Sequence, residues 1–328
     1  MKLLYILVSN CNDYYYEQAF LSILSVKYQM PEMQISMLVD DDTKDSLVGP
    51  RKKIFEFVDE LKVVKFEKSV NPIVRSRELK TTMREKITGD FLYVDVDTLW
   101  VAPIEEKDFS SDIMGVPDGH VEFSDFVGKK FHCEKMKSLN LDFFEKFYIN
   151  GGVLFVRDTP VAHQFMQEWN RYWQYCCERG SFTDQQSLNY VNSKMGGVIQ
   201  LMPHSYNVQI VFSVRYLLNA KVIHYFATNL QSDERKLLFD LQKKSFWDDL
   251  KKSENYLDKM KNIVRNPNAF FSPQMVSVDI ERERIENMSY GLLCTIIDSN
   301  KTRAKVLLRM LNSIAQIIVS AFKFFQKN

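Results

Sequence analysis

The sequence predicts an α/β protein, a mostly parallel, doubly wound sheet flanked by helices, with a helical C-terminal extension. Three observations carry this reading. Strand-like apolar runs alternate with helix-like stretches four times within about the first 95 residues, joined by connections of only a few residues. Polar side chains gather at the carboxyl ends of these runs, where such sheets bind ligands: Ser9-Asn10, Asp40-Asp41-Asp42, and Asp95 with Asp97. From Gln231 onward the pattern turns helical and charged, with one short strand candidate at 275–278.

In order, residues 3–8 make an apolar strand, and the polar turn 9–13 leads into a helix from Tyr14 to about Tyr28, closed by Pro31. The opening apolar run is short and is followed at once by Ser9-Asn10-Cys11-Asn12-Asp13, so it reads as the first strand rather than a signal peptide. A strand at 35–39, a helix from Thr43 or Ser46 to about Phe57, a strand at 61–66, a helix at 74–87 and a strand at 91–94 complete the alternation. Residues 112–116 form a further strand, and 118–147 is an irregular excursion. Tyr148-Ile149-Asn150-Gly151-Gly152 then opens another strand, whose glycine pair marks either a bulge or a close approach to a ligand. An amphipathic helix at 159–177, a helix capped by Thr183 or Ser181, and strands at 198–201 and 222–225 follow.

At 328 residues and 45% hydrophobic content the chain can bury one large core plus an appendage. The expected domains are 1–230, a helical extension at 231–300 and a basic tail at 301–328. A net charge of +1 argues against nucleic-acid binding. The tail carries six basic and no acidic residues, leaving 37 basic against 42 acidic in the first 300. Its apolar positions recur at three- and four-residue steps, which fits either a membrane-surface helix or a helix packed on its own domain or on a partner subunit, and Arg309 and Lys323 argue against a transmembrane span. Five scattered cysteines without CxxC spacing indicate a reducing compartment and no zinc site.

The chemistry is expected at Asp95 and Asp97, since carboxylates at the end of a buried strand need a cation or a polar opening; a turn capped by Asp is the alternative. Strand alternation would aim both to one side. No glycine-rich phosphate loop follows the first strand, so bound phosphates would need a metal and basic side chains. Arg77, Lys80 and Arg84 share one helical face, as a solvated stripe or as phosphate contacts. Asp184 could simply favour a helix N-terminus, and His224, alone on an apolar strand, could be a hydrogen-bonded core residue.

In register, the strand ending in Ser9-Asn10, the basic helix, Asp95-Val96-Asp97, Asn150-Gly151-Gly152-Val153, Asp184-Gln185 with Leu188-Asn189, Pro203 with Tyr206-Asn207, and His224-Tyr225 resemble the GT-A fold of nucleotide-sugar glycosyltransferases, in particular glycosyltransferase family 8. The resemblance spans about residues 3–230. It implies a retaining transfer from a nucleotide-diphosphate sugar, a UDP-sugar above all, to a saccharide or glycolipid acceptor in bacterial surface polysaccharide synthesis. It further implies that Asp95, Asp97 and His224 hold Mn2+ (or Mg2+). Val8, Ser9, Asn10, Asp95, Val96, Asn150, Gly151 and Gly152 would bind the donor, with Asp40 near the ribose, while Asp184 and Gln185 act at the sugar. Where the family often carries Gly-x-x-Lys-Pro after His-Tyr, this chain has Phe226-Ala227-Thr228-Asn229-Leu230, so Lys80 or Arg84 is expected to meet the diphosphate instead. With its basic tail the protein is expected in the cytoplasm, peripheral on the inner face of the plasma membrane, with a homo-oligomer left open. Two other readings are kept: a haloacid-dehalogenase-like phosphatase with Asp95 as nucleophile, since Asp95-Val96-Asp97-Thr98-Leu99 is similar to that family's loop, and a non-catalytic transferase-like scaffold.

Overall fold

The computed structural model describes residues 1–227, 237 and 239–270, together with 306, 310 and 313. The chain divides into two compact units, Met1–Phe270 and Phe271–Asn328. Every element below belongs to the first.

The order is β1 (Lys2–Leu7), α1 (Tyr15–Gln29), β2 (Ile35–Asp40), α2 (Asp41–Ser46), β3 (Glu60–Val64), α3 (Pro72–Thr81), α4 (Met83–Lys86) and β4 (Phe91–Val94). Then come β5 (Thr98–Trp100), β6 (Ile113–Pro117), α5 (Lys129–Ser138), β7 (Ile149–Val156), α6 (Pro160–Cys177), α7 (Gln185–Lys194), β8 (Ile199–Leu201), β9 (Val208–Gln209) and β10 (Val222–His224). Helices α8 (Lys244–Ser253) and α9 (Tyr256–Arg265) close the unit.

The main sheet has seven strands in the order β3-β2-β1-β4-β7-β6-β8, all parallel neighbours except that β7 runs antiparallel to β4 and β6. A second sheet, β5-β10-β9, pairs β10 antiparallel with β5 and parallel with β9. This is the mostly parallel, helix-flanked α/β architecture that the sequence predicts. Continuous apolar strands such as β1, β4 and β7 are buried on both faces, which is why they read as unbroken runs rather than alternating ones.

Helix α1 is buried from Tyr16 to Val26, so it lacks a solvated stripe. Its Ser25 hydroxyl accepts a hydrogen bond from the Trp100 amide at 2.9 Å, tying α1 to β5, and Tyr256 of α9 packs edge-on against Phe20 with centroids 5.0 Å apart. The core beneath the site joins Leu4, Tyr93, Leu154, Trp169 and Leu188. Helix α6 starts where expected, because Thr159 accepts from the Ala162 amide and Pro160 fits the first turn.

Three expectations change. The helix over about 43–57 is two pieces, α2 and a 3-10 stretch Gly49–Glu56, because Gly49 takes a left-handed φ of 57° just before Pro50. The helix over 74–87 breaks at Thr82, whose hydroxyl donates back to the Glu78 carbonyl at 2.6 Å. The excursion 118–147 contains α5. The strand at 275–278 lies outside the described residues, as does the tail helix apart from Val306, Met310 and Ser313, which are helical. No helix of the described residues is long and apolar enough to cross a membrane.

Candidate active site

Strand β4 ends at Val94, and Asp95–Asp97 form the turn into β5. The two carboxylates converge because the chain turns there, not by strand alternation. Antiparallel pairing of β5 with β10 sets His224 opposite Thr98, the residue after Asp97. One ligand atom each from Asp95, Asp97 and His224 lies within 4.8 Å of the others.

The surroundings orient this cluster. His224 Nδ1 lies 2.9 Å from the Asn207 side-chain oxygen, and the Asn207 amide nitrogen donates to Asn150 Oδ1 at 3.0 Å. With that amide orientation Nδ1 carries the proton, and Nε2 points at Asp97 Oδ1, 3.3 Å away. Burial opposes charge on Asp97, but its attraction to the imidazole outweighs this and lowers its pKa; for His224 burial is likewise outweighed by Asp97, and its pKa rises. Asp97 Oδ2 also accepts from the Ala227 amide at 2.9 Å. Asp95 Oδ1 is met by the Tyr93 hydroxyl and by Lys80 Nζ at 3.3 Å. Gly152 leaves the space: a Cβ there would lie 2.3 Å from His224 Cε1 and 2.9 Å from Asp95 Oδ2. Two carboxylates with one oriented imidazole fit a divalent cation such as Mn2+, which accepts nitrogen as well as oxygen donors.

Asp184 sits at the N-cap position of α7, where Thr183 or Ser181 was expected, yet its carboxylate makes no capping bond. It reaches across to α3 instead, with Oδ2 3.0 Å from Lys80 Nζ and Oδ1 3.0 Å from Arg77 Nε. Burial pushes this carboxyl up, but Lys80 and Arg77 win and hold its pKa at about 2. Gly151 brings the β7 backbone beside the pair, its Cβ position 3.6 Å from both Asp184 Oδ2 and Lys80 Nζ. Next along α7, the Gln185 amide nitrogen donates to Asp118 Oδ2 at 2.6 Å, and Asn150 donates to Asp118 Oδ1 at 3.1 Å. Burial raises the Asp118 pKa. Asp118 follows directly on β6, so its sequence signal is a further carboxylate at the end of a strand. Asn207 stood in the sequence only as part of the Tyr206-Asn207 match, with no role of its own, and Tyr93 only as a residue of the apolar strand.

A cleft of about 340 Å³ opens beside the cluster, lined by Val8, Tyr15, Arg77, Asp95, Val96 and Asp97 among others. Ser9 and Asn10 do not line it. The Ser9 hydroxyl donates to Asp13 at 2.6 Å and accepts from Arg51 at 2.8 Å, while the Asn10 amide donates to Asp13 at 2.8 Å. Asp40 caps α2 through the Thr43 amide at 3.0 Å and pairs with Arg75 at 2.6 Å, so its carboxylate serves the fold. Arg84 is buried at the amino end of β4, donating to the Ile87 and Gly89 carbonyls and pairing with Asp158. Arg77 is the arginine of that face that reaches the cleft. At the position of the missing lysine segment, Phe226 stacks on the His224 ring at 4.1 Å.

Residues 79–238, just under half of the chain, match the family of nucleotide-diphospho-sugar transferases. No curated protein matches it in sequence. Among solved structures it is similar to galactosyltransferase LgtC bound to donor and acceptor sugar analogues, at 12% identity and a TM-score of 0.48 over 71% of this chain and 90% of that one. Mouse xyloside xylosyltransferase 1 is similar at 12% identity and a TM-score of 0.43, over 68% and 96%. Against the phosphatase alternative, Asp97, its acid–base, is engaged on both oxygens by His224 and Ala227.

Proposed function

We propose that this nucleotide-sugar glycosyltransferase is metal-dependent, takes a UDP-sugar and retains the anomeric configuration. The observation that carries the reading is the convergence of Asp95, Asp97 and His224 within 4.8 Å at the edge of the Val8–Asp97 cleft. These three side chains would hold Mn2+ or Mg2+, which when bound neutralises charge on the departing diphosphate. Lys80 and Arg77 bring two more positive charges to the same wall and stand in for the absent family lysine. Asp184, fixed by those cations and ionised, accepts hydrogen bonds from donor-sugar hydroxyls. Gln185 is held by Asp118 near the anomeric carbon and stabilises positive charge there, since an amide is a weak nucleophile. In a front-face reaction the acceptor hydroxyl gives its proton to the leaving phosphate, and no dedicated base is needed.

Acceptors of this reading are saccharides or glycolipids of bacterial surface polysaccharide synthesis, met at the inner face of the plasma membrane. The basic, apolar-periodic tail 301–328 supports membrane contact. The test is turnover of a panel of UDP- and GDP-sugars with Mn2+, with EDTA, and after Asp97→Ala. Manganese-dependent release of UDP, lost in the variant, is expected; unchanged turnover in Asp97→Ala overturns the metal site. Thermal stabilisation by Mn2+ plus UDP without any turnover would favour a scaffold.

A further inference from the structure

A second cleft, of about 230 Å³, shares no lining residue with the first and belongs to none of the groups assigned above. Its walls include Phe126, Phe212, Tyr216, Asp125 and Arg215. Aromatic faces beside a carboxylate and a guanidinium suit a sugar ring, whose C–H faces stack on aromatics while its hydroxyls meet charged hydrogen-bonding groups. At this volume the cleft falls below the ~300–1,000 Å³ usual for small-molecule pockets, so it fits one sugar unit rather than a long ligand.

Two lines connect it to the reaction centre. Gly119 and His120, on its floor, directly follow Asp118, which holds Gln185 and Asn150. On the other wall, Phe212 packs edge-on against Phe226 with centroids 5.8 Å apart, and Phe226 stacks on His224 at 4.1 Å. The cleft is therefore two ring contacts from His224 and separate from the cleft beside the cluster. Its shape is held in place: a Cβ on Gly119 or on Gly128 would lie 2.6 or 2.7 Å from the Phe126 ring, so both glycines are needed for that ring to form the wall. Phe212 is 41% exposed, an apolar ring open at the rim.

We propose that this cleft is an outlying acceptor subsite that stacks a non-reacting sugar unit, so that the enzyme selects acceptors of at least two sugars. The inference rests on the transferase reading and deepens it. Binding energy gained on a remote unit lowers the barrier only if it positions the reacting hydroxyl, so chain length should act on transfer and not on attack by water.

The experiment uses the full chain, a panel of methyl hexosides and methyl β-linked and α-linked dihexosides, and the variants Phe212→Ala and Arg215→Ala, both at exposed positions. Saturation-transfer NMR reads sugar binding without turnover, and manganese-dependent hydrolysis of the UDP-sugar is followed in parallel. The expected result is that at least one dihexoside binds more tightly than its monosaccharide, that this preference falls about tenfold or more in both variants, and that hydrolysis is unchanged. A dihexoside preference that survives both variants overturns the subsite, and so does the absence of any preference in the unaltered protein. Failure of hydrolysis itself in the unaltered protein would fall on the transferase reading, while the NMR result still decides the subsite.

Discussion

Gly152 shows how much a single missing side chain decides here. It lies on β7 with its amide donating to Asn150 Oδ1 at 2.9 Å and its carbonyl accepting from the Asp95 amide at 2.7 Å, so the backbone is fixed from both sides. A methyl group added at this point would fall 2.3 Å from His224 Cε1, closer than any real contact. The imidazole cannot step aside without giving up the Asn207 bond behind it or the stack with Phe226. Gly151→Ala, by comparison, meets its neighbours no closer than 3.5 Å. Gly152→Ala is therefore expected to weaken Mn2+ binding by about 10–100-fold, the range seen when groups that orient metal ligands are lost. Gly151→Ala should bind Mn2+ like the unaltered protein. Titration calorimetry with Mn2+ distinguishes the two, and equal affinities would show that Gly152 does not shape the cation site.

Between elements, the decisive contact is the one from α7 to α3. Asp184 could be read in the sequence as a helix-start residue, and its local geometry agrees, but the carboxylate is drawn off by Arg77 and Lys80 one helix away. No local pattern signals such a pairing, because it depends on which helix faces which. The same limit accounts for Arg84: its spacing from Lys80 puts it on the shared face of an unbroken helix, but the break at Thr82 turns it down toward the amino end of β4. The Asp184 pairing has a pH signature. Its pKa is about 2 in the fold against 3.8 in the unfolded chain, so the unfolded chain takes up the proton first as pH falls. The contribution is present above about pH 4 and is lost as pH drops through 4 toward 2; the shift corresponds to about 2 kcal/mol. Asp184→Asn removes the titrating group, so the stability gap between the unaltered protein and the variant should narrow by about two thirds of that amount between pH 6 and pH 2.5. Urea unfolding at the two pH values measures it. A gap independent of pH would mean that Asp184 is not held ionised by its two cations.

For the whole molecule, the main sheet was legible because doubly buried strands are continuous apolar runs separated by short turns, a pattern that needs no tertiary knowledge. The second sheet was legible only in part: the strand at 222–225 is β10, but β5 and β9 are three and two residues long, below the length at which periodicity identifies a strand, and only the pairing of β10 with β5 brings His224 to the aspartates. Helices α8 and α9 were expected within a separate extension, but they belong to the compact unit that ends at Phe270, and Lys251 of α8 donates to the Cys11 and Asp13 carbonyls in the loop after β1 at 2.7 and 3.0 Å. A truncation for testing the tail should therefore spare them. A chain of residues 1–270 retains the core and both sheets, and should keep its cooperative melt and its UDP-sugar hydrolysis. With the six basic residues and no acidic residue of 301–328 removed, its binding to anionic vesicles should disappear. In the full chain that binding should weaken with added salt, because attraction between exposed lysines and an anionic surface is screened over about 8–10 Å near physiological ionic strength. Vesicle sedimentation at low and high salt, with and without anionic lipid, separates the outcomes. If residues 1–270 sediment as the full chain does, the membrane contact lies in the catalytic unit and not in the tail.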